Sequence, residues 1–117
     1  MLENISKKTV VAKKIRHCKS LMSKFIGLMF SKKINDEALI FHFEEPTCVE
    51  LHMFFVFFPI DVIFLDSNKK VIEIKESFLP FTIYFPRCCA SYVVEVSCGT
   101  IKKSKTEISD VLRFADN

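Results

Sequence analysis

Residues Val49 to Leu65 read Val-Glu-Leu-His-Met-Phe-Phe-Val-Phe-Phe-Pro-Ile-Asp-Val-Ile-Phe-Leu, and they form the most apolar segment of the chain. Both alternating faces of Val49–Phe58 are largely apolar, which is typical of a central strand covered on both sides. Pro59 cannot donate to an interior ladder and is predicted to end this strand. The segment also carries His52 and Asp61 among its apolar residues. A buried polar side chain costs free energy unless it finds a hydrogen-bonding partner, so each of the two requires an explanation.

The residues after Pro59 predict a β-hairpin. Ile60–Asp66 and Lys70–Phe78 are rich in β-branched residues, and the turn-forming residues between them favour a tight connection. Other short segments rich in β-branched and aromatic residues predict further strands. These segments are Lys8–Ile15, Ala38–Phe43, Ser91–Ser97 and Asp110–Phe114. A single helical turn is predicted at Ile101–Lys105.

One stretch has the periodicity of a helix. Apolar residues in Ser20–Phe30 recur at the spacing of an amphipathic helix, and Ser20 is a suitable N-cap. The chain is therefore predicted to be α+β and mostly β, with one amphipathic helix at about residues 20–29 packed on the sheet. Its 117 residues fit a single compact domain spanning residues 1–117.

Composition and the N-terminal sequence indicate the compartment. The longest uninterrupted apolar run, Met53–Ile60, is much shorter than the ~18 residues that a membrane-spanning helix requires. The N-terminal sequence has no apolar h-region before a small-residue cleavage site. We therefore expect a cytoplasmic protein without membrane contact.

The cysteine pattern predicts free thiols. The five cysteines are an odd number and show no C-x-x-C spacing. Adjacent Cys88 and Cys89 are a poor start for an ordinary disulfide, and reduced thiols are the default in the cytoplasm. The paired spacings of zinc motifs are absent from the sequence. We expect no metal, no cofactor and five reduced thiols, at Cys18, Cys48, Cys88, Cys89 and Cys98.

Charge is distributed unevenly along the chain. Residues 1–33 hold nine Lys and Arg and one acid, whereas residues 34–117 hold eight basic and 13 acidic residues. The basic segment is rich in core-like residues, so we expect it to fold against the acidic remainder and to bind no specific nucleic acid. The alternative is a weak nucleic-acid-contacting module. Its contacts would come from Lys7, Lys8, Lys13, Lys14, Arg16, Lys19 and Lys24.

Several motifs are shared with a known family. Gly27-Leu28-Met29 lies at the end of the predicted helix, His52 and Pro59-Ile60-Asp61 lie in the apolar segment, and Glu95–Gly99 ends a predicted strand. In these motifs the chain, from about Lys13 to Arg113, resembles the DUF192 family, also called UPF0127. The resemblance implies a compact, mostly β domain with a small barrel-like antiparallel or mixed sheet and a helix packed on it. It implies no established biochemical activity.

The chain departs from the family pattern at three informative positions. Lys69 stands in the place of the family's turn Gly, so Asn68 is predicted to adopt positive φ, which Asn tolerates. Cys98 stands where Ala is expected, which favours a small packing residue. Phe57 stands where a basic residue is common, which weighs against a charged-ligand role for its strand.

Three polar residues on predicted strands form the candidate site. We expect a non-enzymatic domain of otherwise unknown function, and a monomer, with a groove near His52, Asp61 and Glu95 that receives a small molecule or a protein. The second hypothesis is an enzyme of unknown reaction in which His52 and Asp61 transfer protons. A structural alternative remains for Asp61, whose carboxylate could accept backbone N–H groups where Pro59 breaks the strand. The sequence contains none of the common catalytic motifs, so no catalytic residue is assigned.

Overall fold

The computed structural model describes most of the chain. The described residues are 1–18, 36–48, 51–52, 58–79 and 82–116, with residues 51 and 52 described by their backbone alone. The amphipathic helix predicted near residues 20–29 lies outside these ranges. In the described part, no helix is long and apolar enough to cross a membrane.

Strands dominate the described part, as predicted. In chain order the elements are β1 (Leu2–Asn4), β2 (Thr9–Ala12), β3 (Lys14–Cys18), β4 (Glu37–Thr47), β5 (Leu51–His52), β6 (Ile60–Leu65), β7 (Val71–Phe78), β8 (Ile83–Tyr84), β9 (Ala90–Ser97), α1 (Thr100–Ser104) and β10 (Leu112–Arg113). The predicted hairpin is confirmed as β6–β7, and the predicted helical turn is confirmed as α1.

The largest sheet has the strand order β3-β4-β9-β6-β7. Only β3 and β4 pair in parallel, so the sheet is mixed. Strands β3 and β7 are its edges, and the described strands do not close into the barrel-like sheet that the family resemblance implied. Closure would require the two edge strands to pair with each other.

The centre of this sheet is β9, and most of the predicted central strand Val49–Phe58 lies outside the described residues. Strand β9 pairs with β4 on one side and β6 on the other, and it is buried from Ala90 to Val96. In the described part of the predicted central strand, Leu51 and His52 pair instead with β8 in a separate two-stranded sheet. An apolar run on both faces is compatible with any doubly covered position, so composition alone did not give the strand order.

The five-stranded sheet separates two apolar clusters, which define its faces A and B. On face A, Ile63, Val94 and Val96 pack with residues of the three-stranded sheet β10-β1-β2 and with Ile101 of α1. On face B, the large side chains of Phe41, Phe64 and Phe78 are at most 2% exposed. Because successive strand residues point to opposite sides, each strand of the sheet contributes to both clusters.

The β6–β7 turn places positive φ at Lys69 (63°), and the prediction of Asn68 is wrong. Asp66 Oδ1 accepts the N–H groups of Asn68 and Lys70 at 2.8 and 3.0 Å, and the left-handed residue follows this turn. Such a residue is the usual way to join a turn of this length to a twisted hairpin. The Lys69 ammonium donates to the carbonyl of Phe114 at 2.8 Å and lies 4.2 Å from the centre of its ring. These contacts offset the conformational cost of a non-glycine residue there.

Two of the cysteines are not free, so the prediction of five reduced thiols is wrong. Cys48 and Cys89 form a disulfide, with their Cα atoms 4.1 Å apart. Thr47 at the end of β4 pairs with Ala90 at the start of β9, and the next pair outward brings Cys48 opposite Cys89. The two residues are 41 positions apart, so only this register brings them together.

Basic residues near the N-terminus pair with acids from later segments. Arg16 pairs with Glu37 at 3.0 Å, while Lys7 contacts both Glu107 (3.0 Å) and Asp110 (2.8 Å). The charge asymmetry of the sequence is therefore partly neutralised within the fold.

The contact between the two ends of the chain is centred on Asp110. Its buried carboxylate accepts hydrogen bonds from Asn4 Nδ2 at 2.9 Å, Lys7 Nζ at 2.8 Å and the Glu107 N–H at 2.9 Å. Burial alone would raise the pKa of the Asp110 carboxyl, but the hydrogen bonds from Asn4 and Lys7 outweigh it and hold that pKa below its usual value. The ionised carboxylate therefore joins β1 to the segment before β10.

We predict that Asp110→Asn loses about 1–3 kcal/mol of unfolding free energy at pH 7, because it removes a charged acceptor from buried donors. The folded pKa of Asp110 lies below the unfolded pKa, so its stabilising contribution is complete above the unfolded value and is lost as pH falls through the folded value. Urea unfolding of both proteins at pH 7 and pH 3 measures this contribution.

The difference in unfolding free energy between wild type and Asp110→Asn should be smaller at pH 3 than at pH 7. Glu44→Gln removes an exposed carboxylate and serves as the control, with an expected change within about 0.5 kcal/mol at pH 7. An equal loss from both substitutions at pH 7 would contradict the role of Asp110.

Candidate functional site

Asp61 is completely buried, and its carboxylate accepts three backbone N–H groups. Oδ1 accepts the N–H of Ser77 at 2.9 Å. Oδ2 accepts the N–H groups of Gly99 and Ile101, each at 3.0 Å. Bonds of this kind to a charged acceptor are stronger than neutral ones. The hypothesis that Asp61 binds backbone N–H groups is confirmed, although the donors belong to distant segments and not to the break at Pro59.

A bulge in β7 makes the N–H of Ser77 available to Asp61. Ile60 pairs with Phe78 and Val62 with Lys75, so β7 carries one extra residue opposite Asp61. Ser77 adopts positive φ (50°) within this bulge. A bulged residue leaves its backbone groups outside the ladder, and the Asp61 carboxylate takes the ladder's place.

The other two donors lie in the turn from β9 into α1. Gly99 has φ 93°, a conformation that glycine adopts at no steric cost, and the chain reverses there. Its N–H and that of Ile101 then point back towards Asp61 on face A. The hydroxyl groups of Ser97 and Thr100, 3.0 Å apart, close the same turn. The shape of this turn therefore depends on the buried carboxylate beneath it.

The turn forms one wall of a cavity of about 660 Å³. The remaining walls are β2 with Lys13, the beginning of β4 with the preceding Asp36, the end of β9 and α1. This volume lies in the range of about 300–1,000 Å³ that is typical of small-molecule sites. Val11, Ala12 and Val96 give the cavity an apolar floor.

Most of the charged groups around the cavity are already paired. Lys13 Nζ lies 4.0 Å from the carboxylate of Asp36, and Glu37 pairs with Arg16 at 3.0 Å. Lys103 of α1 also lines the cavity, and within the described ranges it forms no ion pair. The cavity thus presents one unneutralised ammonium group beside hydroxyl groups and a thiol.

The three residues predicted to form one groove are not brought together. Asp61 pairs with Val96 and faces side A, whereas Glu95 pairs with Val62 and Leu39 and faces side B. Both carboxylates are completely buried, and the thickness of the sheet separates them. The backbone of His52 lies in β5, and its side chain is outside the described part.

Sequence reasoning missed the cavity because its walls come from three separate segments, residues 10–13, 36–37 and 96–104. Cys98 was assigned to packing, yet it is exposed and lines the cavity. Gly99 carried a usable signal, since it is one of only two glycines and directly follows a predicted strand. Lys103 had no signal, because a lysine in a helical turn is usually an ordinary solvent-exposed residue.

We predict that Asp61→Asn lowers the unfolding free energy at neutral pH by about 1–3 kcal/mol, because one amide cannot accept three N–H groups and its own NH₂ faces donors. Urea unfolding measures the loss. Glu45→Gln also replaces a carboxylate by an amide, at an exposed position of β4, and a change within about 0.5 kcal/mol is expected for it. Asp61→Asn unfolding at the same urea concentration as wild type would refute the structural role.

Comparison with known proteins identifies related sequences along nearly the whole chain. The UPF0127 protein of Pyrococcus horikoshii is 32% identical over 114 residues, which cover 97% of this chain and 98% of that protein. A UPF0127 protein of Thermococcus sibiricus is 35% identical over 112 residues, which cover 94% of this chain and 71% of that protein.

Solved structures share the fold. A crystal structure of a candidate transcription regulator from Sinorhizobium meliloti superposes with a TM-score of 0.77 and 25% identity, covering 85% of this chain and 79% of that one. A protein of unknown function from Novosphingobium aromaticivorans gives a TM-score of 0.77 at 20% identity, covering 86% and 74% of the two chains. The second likeness shows the fold alone.

The family model for DUF192, described as Uncharacterized ACR, matches residues 3–114. This match includes the hairpin, the buried Asp61 and the turn after β9. With the relatives described above, it shows that the chain belongs to the DUF192 family, also known as UPF0127.

Proposed function

We propose that the protein is a non-enzymatic binding domain that holds a small anionic molecule in the cavity between β2 and α1. The observation that carries this proposal is the construction of the cavity wall. A completely buried carboxylate, Asp61, fixes the turn at Gly99 through backbone hydrogen bonds. A wall held in this way is preorganised, which reduces the entropy that a ligand must remove on binding.

Charge supports an anion as the ligand. Lys13 and Glu37 each have an opposite charge within 4.0 Å, so a ligand gains little by pairing with either. Lys103 has no such partner in the described ranges, and its ammonium is exposed at the cavity. An ammonium beside the hydroxyl groups of Ser97 and Thr100 suits a carboxylate or phosphate group.

The position of Asp61 favours a binding function over a function in proton transfer. A catalytic acid or base must reach its substrate at hydrogen-bonding distance. Asp61 has no exposed surface and already accepts three N–H groups. We therefore assign it the role of a positioning residue for the turn and infer no reaction.

The proposal also covers location and partners. Free thiols at Cys88 and Cys98 favour the cytoplasm, where thiols stay reduced. Ion pairs at Lys7 and Arg16 reduce the positive charge available to a nucleic acid, so no specific nucleic acid is proposed as a partner.

A thermal-shift screen against small carboxylates and phosphates tests the proposal. A ligand present at about 100 times its Kd stabilises the folded state by about 2.7 kcal/mol, which raises Tm by several degrees. We predict that Lys103→Ala weakens binding of a ligand found in this way by about tenfold, the loss expected for one charge-assisted hydrogen bond. Isothermal titration calorimetry measures both affinities.

Lys102→Ala is the matched control. Lys102 is the neighbouring residue of α1, is also exposed and does not line the cavity, so its substitution should leave the affinity unchanged. Equal weakening by the two substitutions would indicate a general charge effect outside the cavity. A screen in which no anion raises Tm would overturn the proposal.

A further inference from the structure

The Cys48–Cys89 disulfide joins two segments that differ in how firmly they are held. Cys48 and Cys89 are both exposed, and their bond connects the residue after β4 to the residue before β9. The end of β4 is exposed from Glu44 to Thr47, and its pairing with β9 is irregular between His42 and Thr47. Within the described ranges, the end of β4 is exposed and is held by its pairing at Thr47 and by the disulfide.

The segment on the other side of the bond is fixed by a buried carboxylate. Glu73 of β7 is 8% exposed and accepts the N–H of Arg87 at 2.9 Å and that of Cys88 at 3.0 Å. The hydroxyl of Tyr84 donates a hydrogen bond to the same carboxylate. Burial, followed by this hydrogen bond, raises the pKa of Tyr84 to about 12, so the hydroxyl keeps its proton at neutral pH. Glu73 thus holds residues 84–88 independently of the disulfide.

We propose that Cys48–Cys89 is a reversible redox site, whose disulfide a dithiol reduces in the folded protein. Reduction releases the end of β4, while Glu73 keeps Cys89 in place. Exposed disulfides are the ones that exchange readily, whereas buried structural ones resist reduction. Disulfides of cytoplasmic proteins are usually transient or redox-sensing. This proposal concerns a different part of the fold from the cavity, so the redox site and the ligand cavity can fail independently, although the redox argument rests on the proposed cytoplasmic location.

The chemistry is thiol–disulfide exchange. A thiolate of the dithiol attacks the sulfur of Cys48 and forms a mixed disulfide, while the bond to Cys89 breaks and Cys89 leaves as a thiolate that takes up a proton. The second thiolate of the reductant then attacks the reductant's own sulfur in the mixed disulfide and releases Cys48. The protein gains two electrons and the dithiol becomes a disulfide. Exchange in the reverse direction with that oxidised form closes the bond again.

Alkylation and mass spectrometry test the redox site. Protein purified in air without reductant, then denatured and alkylated, should be modified at Cys18, Cys88 and Cys98 and should yield a peptide pair joined by Cys48 and Cys89. Folded protein incubated with dithiothreitol before alkylation should be modified at all five cysteines, with an unchanged circular dichroism spectrum. Amide hydrogen exchange of the reduced protein should accelerate by about tenfold or more at the end of β4 and stay unchanged at residues 87–90.

Two substitutions complete the experiment. Cys48→Ser cannot form the bond, so its exchange pattern should match that of the reduced protein with or without dithiothreitol. Cys88→Ser removes the neighbouring free thiol. It should leave the disulfide in place and should not change its reduction by dithiothreitol. Alkylation of five cysteines in the air-purified protein, reduction that requires prior unfolding in urea, or equal exchange at the end of β4 in both redox states would each overturn the proposal.

Discussion

The hydrogen bonds to Asp61 connect parts of the fold that the strand ladders leave apart. One carboxylate accepts an N–H from the bulge in β7 and two from the turn between β9 and α1. All three donors would otherwise lie near an apolar core without a ladder partner, at a cost of about 1–3 kcal/mol for each one that is buried. A carboxylate in the middle of a buried strand is stable here because its charge is matched by three oriented N–H dipoles.

A second buried carboxylate performs a comparable task on the other face. Glu73 lies on face B opposite Phe64 and binds the loop that precedes β9, including the N–H of Cys88. The two acids therefore shape the two segments that flank β9, the loop before it and the turn after it. The proposed redox site lies beside the first segment, and the proposed ligand cavity lies beside the second. Both acids bind backbone N–H groups, and Glu73 also binds the Tyr84 hydroxyl, so both determine the shape of a site and take no part in its chemistry.

Sequence patterns predicted the elements whose partners lie close along the chain. The β6–β7 hairpin and the helical turn at α1 follow from alternation, turn residues and apolar spacing within about ten residues. The acceptor role of Asp61 also followed from chemistry, since a charged group in an apolar run must find donors. The identity of those donors did not, because Ser77 and Gly99 belong to segments 16 and 38 residues away.

The sequence by itself determined a mostly β chain, its local strands and the need for buried partners at Asp61. The tertiary structure decided the central position of β9, the opposite faces of Asp61 and Glu95, and the meeting of Cys48 with Cys89. The physical reason is strand register. Alternation assigns residues to two faces, but the choice of neighbour and register is made by the summed packing of distant strands, and a shift of one residue reverses every face.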